Sequence, residues 1–479
     1  MSDNLTALDA TFLELEQKDE GALMSIGGVL VFDPLPGGGV PTVEQVCTNL
    51  ALRLDQLPRY SQRLSSTRTG GFAWPRWTAD GRFRVSDHVA HVALPAPGGS
   101  AELSEWAADF YSHRLDRTRP LWEAALIEGL ADGRWAMAHK THHCLVDGVG
   151  SVDVAYVLLD TEPNPPERVW APPAGSDSSS APQSRLPGAP QAIVNAAEAG
   201  AHVATAGLHA ALHPREALER SRSLAELIVR DELIAAPHTS LNVPIGSTRR
   251  FAVVNRPLAE LKAIRRRLGG SINDVVLAAC TTGLRRLLLS RGEQLSRRGV
   301  RAMVPMNVRQ DSERLALGNR VSSLFVDLPT ASEDAVDRHR RIVAATEQLK
   351  SSRAATGAAA MLDVAALAPP VIHAALARSL YATRLFNVTI TNVPGPQIPL
   401  YAFGAKLREV HPIVPLAAEH TVGIAIFSYD GLVTFGVIAD SESTPDIDVL
   451  AHGIEEGVDE LLSLVTKANR PDTIEQVRT

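Results

Sequence analysis

The chain has 479 residues and a formal net charge of -7, with a sequence pI near 6.1. That length exceeds one ordinary hydrophobic core and predicts two domains of roughly 200 residues each. The acidic balance argues against a nucleic-acid binder. Cys47, Cys144 and Cys280 are too few and too widely spaced for a disulfide framework or a ligand set, which fits a reducing, cytoplasmic setting. The opening MSDNLTALDATFLELEQ carries acids and no basic, apolar leader, so no secretory signal is expected. No run of 18 apolar residues occurs, so no spanning helix is expected, and surface attachment to a membrane stays open.

In chain order, Leu5, Leu8, Phe12 and Leu15 recur at helical spacing and predict a helix over residues 5 to 17. GGVLVF reads as a strand ended by DPLPGGG, and residues 42 to 56 as a second helix. The basic, aromatic stretches PRYSQRL and GFAWPRW follow. DHVAHVALPAPGG predicts a strand and turn, residues 101 to 115 a helix, and PLW leads into the strand WEAALIEGL. Asp132-Gly133 then turns the chain into WAMAHKTHH, a hairpin signal. Residues 161 to 190 are rich in Pro, Ser and Gly and predict a linker or exposed crossover.

Residues 191 to 236 read as largely helical and RRFAVVNR as a strand. Leu258 to Leu268 predicts a helix that Gly269-Gly270 ends. Its Arg265-Arg266-Arg267 run reads as a solvated face. Ser271 or Asn273 can cap the next helix, NDVVLAACTTGLRRLLLSRG. VRAMVPMNVR and NRVSSLFVDLP predict strands, and residues 332 to 380 helix broken at Pro369-Pro370. FNVTITNVPGP precedes a second Asp-Gly hairpin, TVGIAIFSYDGLVTFGVIAD, and a final helix over about 445 to 468. Hairpins mixed with long helices in both halves predict two α/β domains with mixed or antiparallel sheets rather than a doubly wound parallel sheet. The domains expected are 1–160 and 191–479, joined by 161–190. No Gly-rich nucleotide loop and no GxSxG elbow appears.

The chemistry concentrates in RWAMAHKTHHCLVDGVGS. On a strand, His139, Thr141 and His143 face one way, and Lys140 and His142 the other. The adjacent histidines therefore do not share a face. After His143 the period changes, since Val149, Val152, Tyr156 and Leu159 sit three or four apart. A strand that ends near His142 and turns through Asp147-Gly148 would hold one imidazole with a fixed backbone and an exposed edge, suited to proton removal from an alcohol or thiol. Residue pattern alone leaves this base and a structural histidine pair as open alternatives. A metal site is disfavoured, because neither HExxH nor a cysteine pair accompanies the histidines.

HHCLVDG, His142 to Gly148, matches the HHxxxDG motif of the CoA-dependent acyltransferase superfamily. Further stretches resemble the bacterial wax ester synthase/diacylglycerol acyltransferase family: LDATFLELE, PLW at Pro120 to Trp122, LNVPIGSTRR, NDVVLA, VPMNVR, the later GNR, TNVPGP and SYDG. They cover essentially the whole chain in the family's order. One departure is Met24-Ser25, where such proteins often have Met-His.

The resemblance implies a pair of chloramphenicol-acetyltransferase-like domains with the active site at their interface. It implies His143 as general base, His142 as support, Asp147 as a structural acid and Gly148 as the residue that lets the loop turn. Asn273 is a candidate for the oxyanion or donor side, with helix capping as its competing role. Arg309 is a candidate partner of Asp147 or of a CoA phosphate. Trp122 is expected to brace the catalytic strand. The expected reaction moves a long acyl group from acyl-CoA, as substrate, to diacylglycerol or a long-chain alcohol, with no resident cofactor or metal. Expected partners are these lipids and possible peripheral contact with a membrane or lipid droplet, with no nucleic acid. The alternatives are an acyltransferase for another acceptor and a non-catalytic lipid carrier.

Overall fold

Period-2 runs bounded by turn residues and period-3.6 runs bounded by caps build the expected mixture of strands and helices. The computed structural model describes residues 5, 7–65, 75–145, 154, 157–165, 236–307, 321–351 and 385–468. The first half contributes α1 (Ala7–Lys18), β1 (Ser25–Phe32), α2 (Val43–Leu54), β2 (Gln62–Leu64), β3 (Trp77–Ala79), β4 (Val89–Ala93), α3 (Ser100–Phe110), β5 (Trp122–Glu128) and β6 (Trp135–His142). The second contributes β7 (Arg249–Pro257), α4 (Leu258–Leu268), α5 (Ile272–Ser290), β8 (Val300–Asn307), β9 (Val321–Leu328), α6 (Ala335–Ser351), β10 (Val388–Pro394), β11 (Tyr401–Ala402), β12 (Ala405–Ile413), β13 (Val422–Tyr429), β14 (Leu432–Asp440) and α7 (Ile447–Ala468). Of the helix expected over 191–236, residues 191–235 lie outside the described residues, as does the part of the 332–380 stretch beyond Ser351.

Local signals explain most boundaries. Thr42 caps α2 in a reciprocal box with Gln45, each side chain accepting the other's backbone N–H. Ser271 caps α5 in the same way with Asp274. This settles the expected choice between Ser271 and Asn273 in favour of Ser271, and Asn273 is not the cap. Both Asp-Gly turns carry positive φ at both residues, Asp132 and Gly133 at 61° and 69°, Asp430 and Gly431 at 41° and 85°. At Asp430-Gly431, a two-residue loop between the paired Tyr429 and Leu432, that backbone matches the twist of the strands it joins, while Asp132-Gly133 turns within the longer connection from Glu128 to Trp135.

The strands form two six-stranded mixed sheets. The first runs β11-β12-β1-β6-β5-β4, antiparallel except between β4 and β5. The second runs β7-β14-β13-β10-β8-β9, with β10 parallel to both of its neighbours. Helices α4 to α7 cover the second sheet and bury Leu261, Ile264, Leu284, Ile342, Ile454 and Val458 in its core. Gly283 lets α5 meet α7, since a Cβ there would come 2.7 Å from the Leu450 carbonyl oxygen.

The chain laces the two sheets together. After β10 it leaves the second sheet, adds β12 and β11 to the first, and returns as β13. The expected division at 161–190 therefore does not partition the sheets, because residues 401–413 of the later stretch pair beside β1. A shared apolar cluster joins Val29, Ala125 and Ala138 of the first sheet to Phe251, Ala425 and Ile438 of the second. The buried Arg249 guanidinium adds a polar tie, donating to the carbonyl oxygens of Gly21 and Gly246.

A second buried tie holds α2 to the end of the first half. Arg53 donates twice to Asp160, at 2.9 and 2.8 Å, with both side chains 5% exposed. Removing one partner strands a buried charge, so Arg53→Met is expected to lose about 3–5 kcal/mol of unfolding free energy. Urea titration of both proteins measures it, and a loss below about 1 kcal/mol would contradict the pairing.

Candidate active site

The site grows from the end of β6, a central strand of the first sheet. β6 pairs with β1 on one side and β5 on the other, so its backbone is fixed as far as His142. The chain then leaves the strand as a turn over His143 to Leu145. The His143 N–H still donates to Met24 O at 2.8 Å, which pins the residue just past the strand end. The expected split of the two histidines follows. His142 is completely buried, and His143 is half-buried.

Helix α1 crosses this strand end and serves both histidines from one face. Phe12 and Glu16 are four apart, hence neighbours along the helix. The Phe12 ring lies flat on the His143 imidazole, with centroids 4.1 Å apart and planes at 16°. One turn on, Glu16 Oε2 lies 3.4 Å from His142 Nε2 and accepts from Arg117 Nη2 at 2.8 Å. Its Oε1 accepts the Met24 N–H at 3.2 Å. Arg114 satisfies carbonyls at the end of α1, donating to Glu16 O and Asp19 O at 2.7 and 2.6 Å.

Burial alone would raise the Glu16 pKa, but hydrogen bonding and charge from His142 and Arg117 outweigh it and bring the pKa to about 2. Glu16 is therefore an anion at neutral pH. The Cys144 N–H donates to His142 Nδ1 at 3.1 Å, so the proton of a neutral His142 ring sits on Nε2 and faces Glu16. His142 thus accepts at Nδ1, turns Nε2 toward the Glu16 carboxylate, and orients the turn. Cys144 is buried and its thiol is pushed well up by burial, which suits packing and not nucleophilic attack.

The surroundings brace this arrangement. Lys140 runs to the opposite face from His139 and donates to Phe110 O and His113 O at 2.9 and 3.1 Å, closing the C-terminal end of α3. Trp122 fills the expected bracing role: its Nε1 donates to Tyr60 O at 2.7 Å and its ring stacks on His88 at 4.6 Å. From the second half, Ala417 and Ala418 pack against the cluster of Leu15, Ala22 and Met24 that Phe12 joins. His420 holds that loop, stacking on Phe386 at 4.0 Å with its Nδ1 2.7 Å from Ala418 O. Asn242 of the LNVPIG stretch donates to Phe386 O and Glu419 O, both at 3.2 Å. Both halves of the chain therefore contribute to the surroundings of Phe12.

Other candidates stand apart. Asn273, on the first turn of α5, accepts from Asn392 Nδ2 at 3.2 Å, which joins the NDVVLA and TNVPGP stretches. That hydrogen bond does not reach either histidine. Asp147, Gly148 and Arg309 lie outside the described residues. An open hollow of about 460 Å³ lies at the far end of β6, lined by Asp33, Arg134, Arg408 and Glu409. Its charges pair with one another, and it does not include the histidines. Among the described residues no cluster of three metal-ligating side chains occurs.

Sequence reasoning missed Phe12, Glu16 and Arg117. The i,i+4 spacing of Phe12 and Glu16 is visible in the sequence, but Phe12 enters there only as one of the apolar residues at helical spacing. Arg117 is 101 positions from Glu16, and no local pattern ties the two.

Two laced mixed sheets with a paired histidine at a central strand end define the chloramphenicol-acetyltransferase-like class. The starter condensation domain of rhizomide synthetase RzmA shares this fold at 14% identity, with a TM-score of 0.60 over 99% of this chain and 97% of that one. The chain belongs to the wax ester synthase/diacylglycerol acyltransferase family: the family's catalytic domain matches residues 5–276 and its C-terminal domain residues 317–462. It is 32% identical over 472 residues to the probable diacylglycerol O-acyltransferase tgs1 of Mycobacterium tuberculosis, covering 96% of each chain. The wax ester synthase/diacylglycerol acyltransferase of Marinobacter aquaeolei VT8 is 28% identical, with a TM-score of 0.68 over 97% of this chain and 100% of that one.

Proposed function

We propose that the protein transfers a long acyl group from acyl-CoA to the free hydroxyl of diacylglycerol or of a long-chain alcohol, with His143 as general base. The observation that carries this is the placement of His143, half-buried at the strand end and seated on Phe12, beside a His142 already committed to Glu16. His143 takes the hydroxyl proton, the oxygen attacks the thioester carbonyl, and the tetrahedral oxyanion collapses to ester and CoA thiolate. His143 returns the proton to that thiolate. No proton or electron is left over, and the reaction calls for no resident cofactor. The oxyanion requires a hydrogen-bond donor beside the base. Asp147 and Gly148 would shape the turn that follows His143, Arg309 would meet Asp147 or a CoA phosphate, and Asn273 would serve the donor side.

The acceptor is greasy, and among the described residues no helix is long and apolar enough to cross a membrane. Peripheral contact with a membrane or droplet surface would bring diacylglycerol to the site. A thiol-release assay with palmitoyl-CoA tests the reading. CoA is expected only when hexadecanol or dioleoylglycerol is present. Lipid binding with no CoA release across both acceptors would instead mark a carrier.

A further inference from the structure

His139 lies on β6, four residues before His143, or about 13 Å along an extended strand. It stands in the middle of the first sheet, where side chains are normally apolar or satisfied. Its ring makes no hydrogen bond or ion pair among the described residues; burial alone acts on it and pushes its pKa down to about 4. The residue nevertheless keeps partial exposure. Desolvation of the ring together with partial accessibility of the residue is what a side chain lining a recess shows.

The row of the sheet that holds His139 is built small. Its neighbours across the sheet are Gly28 on β1 and Ala124 on β5. Gly28 can carry no side chain there, because a Cβ would come 2.6 Å from His411 O. The next row on the same face is Met137 with Leu30, followed by Val410 on β12. All three are apolar and only partly buried, at the edge of a buried apolar cluster. The wall therefore presents one polar group first and an apolar stripe next.

We propose that His139 donates a hydrogen bond to an ester carbonyl of a glyceride acceptor, whose acyl arm then lies along Leu30, Met137 and Val410. The inference rests on the acyltransfer reading above. A polar group followed by an apolar stripe fits an ester-linked chain. An alkyl alcohol has no second polar group to offer, and the thioester carbonyl of the acyl donor is the reacting group and belongs beside His143, not four residues up the strand. At neutral pH the ring is uncharged and carries one N–H, which suits a carbonyl acceptor. The assigned role is one of acceptor choice: His139 favours diacylglycerol over a fatty alcohol.

The test is a competition between dioleoylglycerol and hexadecanol for palmitoyl-CoA, with wild type, His139→Leu and His139→Gln. Leucine is expected to lower the dioleoylglycerol-to-hexadecanol ratio of kcat/KM about tenfold, and glutamine to recover part of it. The leucine variant should melt at the same or a higher temperature, since it removes an unsatisfied polar group; His139→Met repeats the test should leucine fail to fold. An unchanged ratio overturns the assignment. Equal loss on both acceptors with a raised KM for palmitoyl-CoA places His139 against the donor and also overturns it. A wild-type enzyme inactive on both acceptors overturns the acyltransfer reading and this inference with it.

Discussion

Replacing His143 with alanine is expected to lower kcat/KM for acyl transfer by about 10²–10⁴-fold, the range a positioned general base contributes. The fold should survive, because His143 is half-buried, lies outside the strand ladder, and is anchored through its backbone N–H to Met24 O. Circular dichroism and a melting curve close to wild type would establish that. The loss should fall on kcat with either acceptor, since the base acts on the hydroxyl and not on the acyl arm. Turnover near wild type in a folded His143→Ala protein would remove the base assignment. His142→Ala is a different experiment, because that ring is buried against Glu16 and its removal disturbs the turn.

The second large effect belongs to Glu16. Its carboxylate is the hub that joins α1 to His142, to Arg117 and to the Met24 N–H. Glu16→Gln keeps the shape and removes the charge, leaving a half-buried arginine without its anion, and is expected to cost about 3–5 kcal/mol. The pH dependence gives a sharper signature. The folded pKa of about 2 lies below the ordinary value of 4.5, so the carboxylate binds protons more weakly when folded. Its stabilisation is present above pH 4.5 and is lost as pH falls toward 2. That window carries roughly 3 kcal/mol for a shift of this size. Urea unfolding at stepped pH should show wild type losing that much across the window and Glu16→Gln losing correspondingly less. Parallel pH profiles would contradict the ionised network. Activity should fall along with stability, since the same helix carries Phe12 beneath His143.

The sequence made the elements of the first sheet legible where local physics decides them. Asp132-Gly133 marked the β5–β6 hairpin there, as Asp430-Gly431 did for β13–β14 in the second sheet, and the change from period 2 to a turn after His142 marked the strand end. The separate fates of His142 and His143 followed from strand alternation, although which of them was the base did not. Strand β12 was not legible. AKLREVHPI places Lys406, Arg408 and Pro412 on one face and Ala405, Leu407 and Ile413 on the other, and its charges and proline weaken the strand signal. Its partner β1 begins 380 positions earlier, so no local pattern announced the pairing. The same distance problem hid the Glu16–Arg117 contact. Asn273 was misread as a possible cap because Ser271 and Asn273 both have capping chemistry, and only the backbone at Ser271 decides between them.

Phe12 shows how a core-like residue enters a site. Its spacing with Leu5, Leu8 and Leu15 is that of an apolar helix face, and Leu5 and Leu15 are indeed buried. The helix lies across the end of β6, so the one ring that overhangs the strand meets an imidazole in place of another apolar group.

The measurement that bears most directly on the central claim is product analysis by mass spectrometry. Purified protein is given palmitoyl-CoA with dioleoylglycerol and hexadecanol together. The account predicts triacylglycerol, wax ester or both, with one free CoA for each ester formed, and none of these products from His143→Ala. Acceptor-independent CoA release, or bound lipid with no ester formed, would contradict it.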